Sequence, residues 1–133
     1  MKDFRKMKFT KEHEWVAAEG EMATIGITDY AAGALGDIVS LELPKVGNSY
    51  KQGQGMAIVD SMKASSDVYA PVSCQVMEVN TALPNSPQLI NEDAYGKGWL
   101  AKAKLTNPSE LEGLMSKEEY DKFVEEAKAK GGH

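Results

Sequence analysis

Val59 to Ser73 reads VDSMKASSDVYAPVS. Ile58-Val59 and Val68-Tyr69 are strand-forming pairs, and Asp60, Ser61, Ala64, Ser65, Ser66 and Asp67 between them are small or polar. Apolar pairs around a polar tip predict a β-hairpin. Lys63 falls at or beside the tip, with no other basic residue near it. Its amine then projects into water from a rigid base, and its small neighbours leave room for a large partner to close over it. Taken alone, a turn lysine is only a solvated charge, so the flanking sequence has to decide whether it is more.

Outward from the hairpin, the pattern is one of short strands. Gln52 to Gly55 reads as a loop into the first arm, and Pro71, lacking a backbone donor, puts the end of the second at an edge or bend. Upstream, Thr10 opens a turn and Trp15-Val16 begin a strand. Glu19-Gly20-Glu21 is a hairpin turn, and Ala23, Ile25 and Ile27 alternate with Thr24 and Gly26. Thr28 is an N-cap for a short helix, Asp29 to Leu35, that Gly36 ends. Asp37 to Leu43 is a strand with Val39, Leu41 and Leu43 on one face. Downstream, Gln75 to Asn80 is a strand, Asn85-Ser86-Pro87 a turn, and Trp99, Ala101, Ala103 and Leu105 share one face of another strand. A faint repeat sets Val39 against Val76 and Val46 against Leu83, which hints at two similar β-halves. Asn107-Pro108 is an N-cap and N1 pair, and Ser116 to Glu119 a capping box. Tyr120, Phe123, Val124 and Ala127 then follow at helical spacing up to Gly131-Gly132. The expectation is a mainly β fold of two antiparallel sheets, sandwich or barrel-like, with short peripheral helices and a C-terminal helix. It forms one domain with a core over about 8–128, and residues 1–7 and 129–133 fray.

The 133 residues are 42% hydrophobic and 26% charged, enough apolar content for a packed core. A net charge of −5 argues against general nucleic-acid binding. No apolar run is long enough for a membrane span. MKDFRKMKF at the start is basic but has no apolar core and contains Asp3, so it reads as neither a secretory signal nor a transit peptide, and a cytoplasmic setting is expected. One cysteine, Cys74, forbids an internal disulfide, and two histidines, His13 and His133, are too few for a metal cluster. Cys74 reads as a small, partly buried residue entering a strand rather than a reactive thiol.

Nothing in the chain assembles a catalytic constellation. Glu12, His13 and Glu14 adjoin, but in a strand the two carboxylates would share a face and His13 would point away. No nucleophile elbow, phosphate loop or metal motif is present, so no catalytic residue and no metal ligand is assigned.

The blocks FTKEHEWV (9–16), ATIGITDYA (23–31), LGDIV (35–39), ELPKVG (42–47), VDSMKASSDVYAPVS (59–73), EVN (78–80) and NEDAYGKGWL (91–100), with the NPSEL and EEY tail, occur in this order over residues 8 to 125. Together they resemble the glycine cleavage H-protein family, the lipoyl carriers of the glycine cleavage system. The resemblance implies a barrel-sandwich hybrid fold, with lipoic acid attached to Lys63 as an amide by a lipoate ligase or a lipoyl/octanoyl transferase. It implies three partner enzymes. A pyridoxal-phosphate glycine decarboxylase loads the aminomethyl group, a tetrahydrofolate-dependent aminomethyltransferase removes it, and a dihydrolipoamide dehydrogenase re-oxidises the dithiol. The chain itself is then a non-catalytic carrier, expected to be monomeric, and amide formation takes its formal charge from −5 to −6. In such proteins the loaded arm folds into a cleft that protects its labile adduct. Glu14 and Asp67 match cleft-lining positions, and a carboxylate suits a protonated amine. Asp60 and Asp67 either steer a partner to the tip or form turns. Cys74, Ala34 and Glu12 depart from residues common in relatives. A biotinyl carrier is the nearest alternative, since Met62-Lys63 matches half of a biotin site although Ala64 does not. A lipoyl donor to other enzymes is another.

Overall fold

A computed structural model describes residues 7–129. Among these described residues, nine strands form two antiparallel sheets. The larger runs β1 (Met7–Phe9), β2 (Glu14–Glu19), β3 (Met22–Ile27), β9 (Ala101–Leu105), β8 (Cys74–Val79) and β5 (Ser49–Tyr50) in spatial order. The smaller is β4 (Ile38–Glu42), β6 (Gly55–Ser61) and β7 (Ser65–Tyr69). Between them lies the main core, in which Val16, Ile25, Val59, Val68, Val76 and Leu100 are almost wholly buried. This is the expected sandwich of antiparallel sheets, with a C-terminal helix, α3 (Lys117–Ala129), at its side.

Period-two alternation explains why Trp15 and Val16 serve different cores. Val16 enters the main one, whereas Trp15 joins Met7, Phe9, Tyr120 and Val124 in a second cluster beneath α3. The helix is started by the expected capping box: Ser116 N–H donates to Glu119 Oε1 at 2.9 Å and Glu119 N–H to Ser116 Oγ at 3.2 Å. Tyr120 and Val124 are buried and Phe123 is half-buried, as their spacing predicts. The helix reaches Ala129; the expected stop at Gly131-Gly132 lies outside the described residues, as do 1–6 and 130–133.

Several expectations need correction. Met7 does not fray: it is the first residue of β1 and is buried, a strand that the polar-looking start of the chain did not suggest. Val39 is 52% exposed rather than on the core face, because a register irregularity between Ile38 and Ser40 inserts a residue and turns it outward. Trp99 belongs to the cluster under α3, not to the face of Ala101, Ala103 and Leu105; Leu100 takes the core position and Lys102 Nζ lies over the Trp99 ring at 5.1 Å. The faint repeat does not give equivalent positions, since Val46 is exposed where Leu83 is buried, and Val39 where Val76 is buried. Asn107 caps nothing with its side chain; it accepts from Ser109 Oγ at 2.7 Å ahead of a 3-10 helix, Pro108–Gly113. A short helix, α2 (Leu89–Glu92), was not foreseen. Cys74 is fully buried at the start of β8, and burial together with Glu110 pushes its thiol up to about 11, in keeping with a packing role.

Candidate functional site

The β6–β7 hairpin forms as predicted, with Asp60 paired to Ser65 and Met62, Lys63 and Ala64 outside the strands as the loop. Ser61 stiffens it. Its Oγ accepts from Lys63 N–H at 3.2 Å and Ala64 N–H at 3.1 Å and donates to the Ala64 carbonyl at 3.1 Å, while Ser61 N–H donates to that same carbonyl at 2.8 Å. Met62 N–H donates to the Asp37 carbonyl at 3.2 Å, which ties the loop to the junction of α1 (Asp29–Leu35) and β4. Lys63 is exposed, and no ion pair engages its amine among the described residues.

The ledge under Lys63 is set by α1. Thr28 caps the helix as expected, its Oγ1 accepting from Ala31 N–H at 3.1 Å, and Gly36 ends it with a left-handed φ of 87°. The positive φ favours glycine at 36, and a Cβ there would lie 3.1 Å from Lys63 Cε, so the glycine lets the aliphatic stem rest closely on the ledge. Asn91, at the end of α2, holds the ledge: its Nδ2 donates to the Gly36 carbonyl at 2.9 Å and its Oδ1 accepts from Ile38 N–H at 2.9 Å. Sequence reading passed over Ser61 and Asn91 as site residues. Ser61 had a local signal, a hydroxyl two residues before the lysine, whereas Asn91 acts across 55 residues and had none.

Asp60 neither forms a turn with its own backbone nor stands free. It accepts from Ser40 Oγ at 3.1 Å and from Ser65 Oγ, cross-bracing the small sheet behind the tip.

Glu14 is 2% exposed yet lines a cleft with Phe9, Thr10, Tyr69, Pro71 and Met115. Its Oε1 accepts from the Thr10 hydroxyl and its Oε2 from Tyr69 N–H at 3.1 Å. The expectation that Glu12 and Glu14 share a strand face fails: residues 11 and 12 are in a turn, His13 has a φ of 70°, and the strand begins only at Glu14, so Glu12 is exposed. Asp67 does not join Glu14. It is exposed in mid-strand opposite Ile58 and opens onto a separate depression with Glu42, Pro44 and Lys45, two residues short of the Tyr69 amide that Glu14 holds.

Burial raises the Glu14 carboxyl above its ordinary 4.5, against the lowering effect of the Thr10 and Tyr69 hydrogen bonds. The folded protein therefore retains this proton to higher pH than the unfolded chain. The linked stability is full below 4.5 and is lost as pH rises through the folded-state value. Glu14→Gln removes the linkage, so the stability of the wild type relative to that variant should fall from acid to neutral pH, read as the difference in urea midpoints. A constant difference would contradict the assignment.

The exposed hairpin lysine and the buried carboxylate near the same strand make a pattern that can be compared with known proteins. The sequence profile described as "Glycine cleavage H-protein" matches residues 7–127. The chain belongs to this family. The glycine cleavage system H protein of Carboxydothermus hydrogenoformans is 51% identical over 120 residues, covering 90% of this chain and 92% of that protein. That of Phenylobacterium zucineum is 52% identical over 118 residues, covering 89% and 98%. A crystal structure of a glycine cleavage system H protein from Mycobacterium marinum superposes with a TM-score of 0.81 at 34% identity, covering 96% of this chain and 98% of the other. Among the described residues there is no cluster suited to a metal ion and no helix long and apolar enough to cross a membrane.

Proposed function

We propose that the chain is the lipoyl carrier of the glycine cleavage system, with lipoic acid in amide linkage to Lys63. It takes the aminomethyl group of glycine from the pyridoxal-phosphate glycine decarboxylase to the tetrahydrofolate-dependent aminomethyltransferase, and is renewed by dihydrolipoamide dehydrogenase. The observation that carries this reading is Lys63 itself, an exposed amine without an ion pair among the described residues, held on a loop that Ser61 and the Asp37 carbonyl keep stiff. Such an amine fits acylation by a ligase or transferase that must close around it. When bound, the dithiolane supplies a disulfide that a carbon nucleophile opens and thiol–disulfide exchange restores.

The chain contributes position, not reaction. Gly36 leaves a bed for the stem of Lys63. From Ser65 to Tyr69 the strand advances about 13 Å at ~3.3 Å per residue. An arm of about a dozen bonds of ~1.5 Å each is long enough to lie along it. At that end Glu14 offers a buried carboxylate to a protonated amine, and the surrounding Phe9, Leu114 and Met115 limit water. The reading takes the chain as a single carrier domain, monomeric and cytoplasmic, that performs no catalysis alone.

The intact mass of protein from its own host tests the cofactor, because lipoyl and biotinyl adducts differ in mass. Glu14→Ala tests the cleft. Loss of one charge-assisted contact should speed release of formaldehyde and ammonia from loaded protein by about tenfold or more. An unchanged decay rate rejects the role of Glu14.

A further inference from the structure

Among the described residues, His13 is the one non-glycine residue with a left-handed backbone, φ 70°. Such a conformation is strained for histidine and persists where the surroundings over-determine it. Here they do. Nδ1 lies 2.8 Å from the Tyr120 hydroxyl of α3, and that hydroxyl lies 2.7 Å from Thr28 Oγ1. Thr28 Oγ1 also accepts from Ala31 N–H, so the Tyr120 hydroxyl bridges the imidazole to the cap of α1. Burial lowers the His13 pKa against the opposing effect of Glu12, which favours the neutral imidazole. The imidazole is also packed among Tyr30 at 4.9 Å, Tyr120 at 5.8 Å and Phe123 at 5.9 Å between ring centroids. Its backbone is held on both sides: N–H donates to the Thr10 carbonyl at 3.1 Å, and the carbonyl accepts from Thr28 N–H at 3.0 Å.

The next residue is Glu14. With 12–14 extended, Glu12 and Glu14 would point the same way. With the turn in place, Glu12 is exposed and Glu14 is buried against Thr10 and Tyr69. We propose that His13 is a positioning residue for Glu14: α3, through Tyr120, clamps the imidazole and so fixes the left-handed turn that swings the Glu14 carboxylate inward. The C-terminal helix thereby acts on the cleft although none of its residues lines it. The benefit to a carrier rests on the function proposed above; the positioning itself does not.

Unlipoylated protein tests it. Tyr120→Phe deletes one oxygen and keeps the ring stacked on Phe9, with centroids 4.9 Å apart. His13→Gly keeps access to the left-handed backbone but removes the anchor, and His13→Asn restores a side chain that tolerates that backbone. Carboxyl-carbon NMR follows the titration of Glu14. The Glu14 midpoint should start above the ordinary glutamate value and fall toward it in Tyr120→Phe and His13→Gly, less so in His13→Asn. If His13→Gly does not fold, Tyr120→Phe decides. A Glu14 midpoint in Tyr120→Phe equal to that of the wild type overturns the proposal. In loaded protein, Tyr120→Phe should hasten loss of the amine by about tenfold, the worth of one hydrogen bond. A shifted Glu14 with unchanged decay would instead sink the cargo-holding role of Glu14 and leave the positioning intact.

Discussion

Lys63→Arg should abolish glycine–bicarbonate exchange with the three partner enzymes while leaving the protein folded. The two side chains carry the same charge, but the guanidinium stays protonated at any working pH and does not form the amide that a lysine amine forms. Lys63 is exposed and without an ion pair among the described residues, so the substitution touches no packing and should stay within about 0.5 kcal/mol in stability. The stem still has the bed left by Gly36. Intact mass should show the variant without an adduct under conditions that modify the wild type, and the urea midpoints of the two should coincide. Exchange that persists in an unmodified variant would end the carrier reading, because the aminomethyl unit would then travel without an adduct on Lys63.

Gly26→Ala should be clearly destabilising. Gly26 pairs with Trp15 across β2 and β3, and the indole lies over it. A Cβ there would be 2.7 Å from Trp15 Cε2, Cζ2 and Nε1 alike. The indole cannot easily give way, since it is wholly buried and its Nε1–H donates to the Ala94 carbonyl at 3.1 Å. Overpacking of this kind costs about 1–3 kcal/mol. Replacing a strand glycine by alanine recovers only about 0.5–1 kcal/mol of backbone entropy. The balance is a loss, expected as a drop of several degrees in Tm at neutral pH. Trp15→Phe in the Gly26→Ala background should restore part of it, so the two substitutions should be non-additive in thermal unfolding. A variant as stable as the wild type would mean that the indole is free to move.

Much of the site's frame was written in short-range patterns. The polar run between Ile58-Val59 and Val68-Tyr69 predicted the hairpin, Thr28 and Gly36 bounded α1, and Ser116 to Glu119 opened α3, because turns and caps are made by residues within a few positions of one another. Lys63 could be singled out for the same reason: a tip is local, and what it needs from its neighbours is that they be small.

Glu14 shows the other side. Its place in a strand-like run suggested a face shared with Glu12, and its match to the family suggested a cleft shared with Asp67. Neither neighbour is beside it, because a left-handed turn at His13 re-aims the chain and Asp67 faces a different depression. Only the packed structure brings the Tyr69 amide to Glu14, Tyr120 to His13 and Asn91 to the ledge beneath Lys63. By itself the sequence determined where the hairpin lysine stands and which segments turn, since those depend on local backbone preferences. Tertiary structure decided which carboxylate is buried, what holds it, and how Val39, Trp99 and Asp67 face, since a bulge, a sheet partner or a helix more than 90 positions away leaves no periodic trace in the chain.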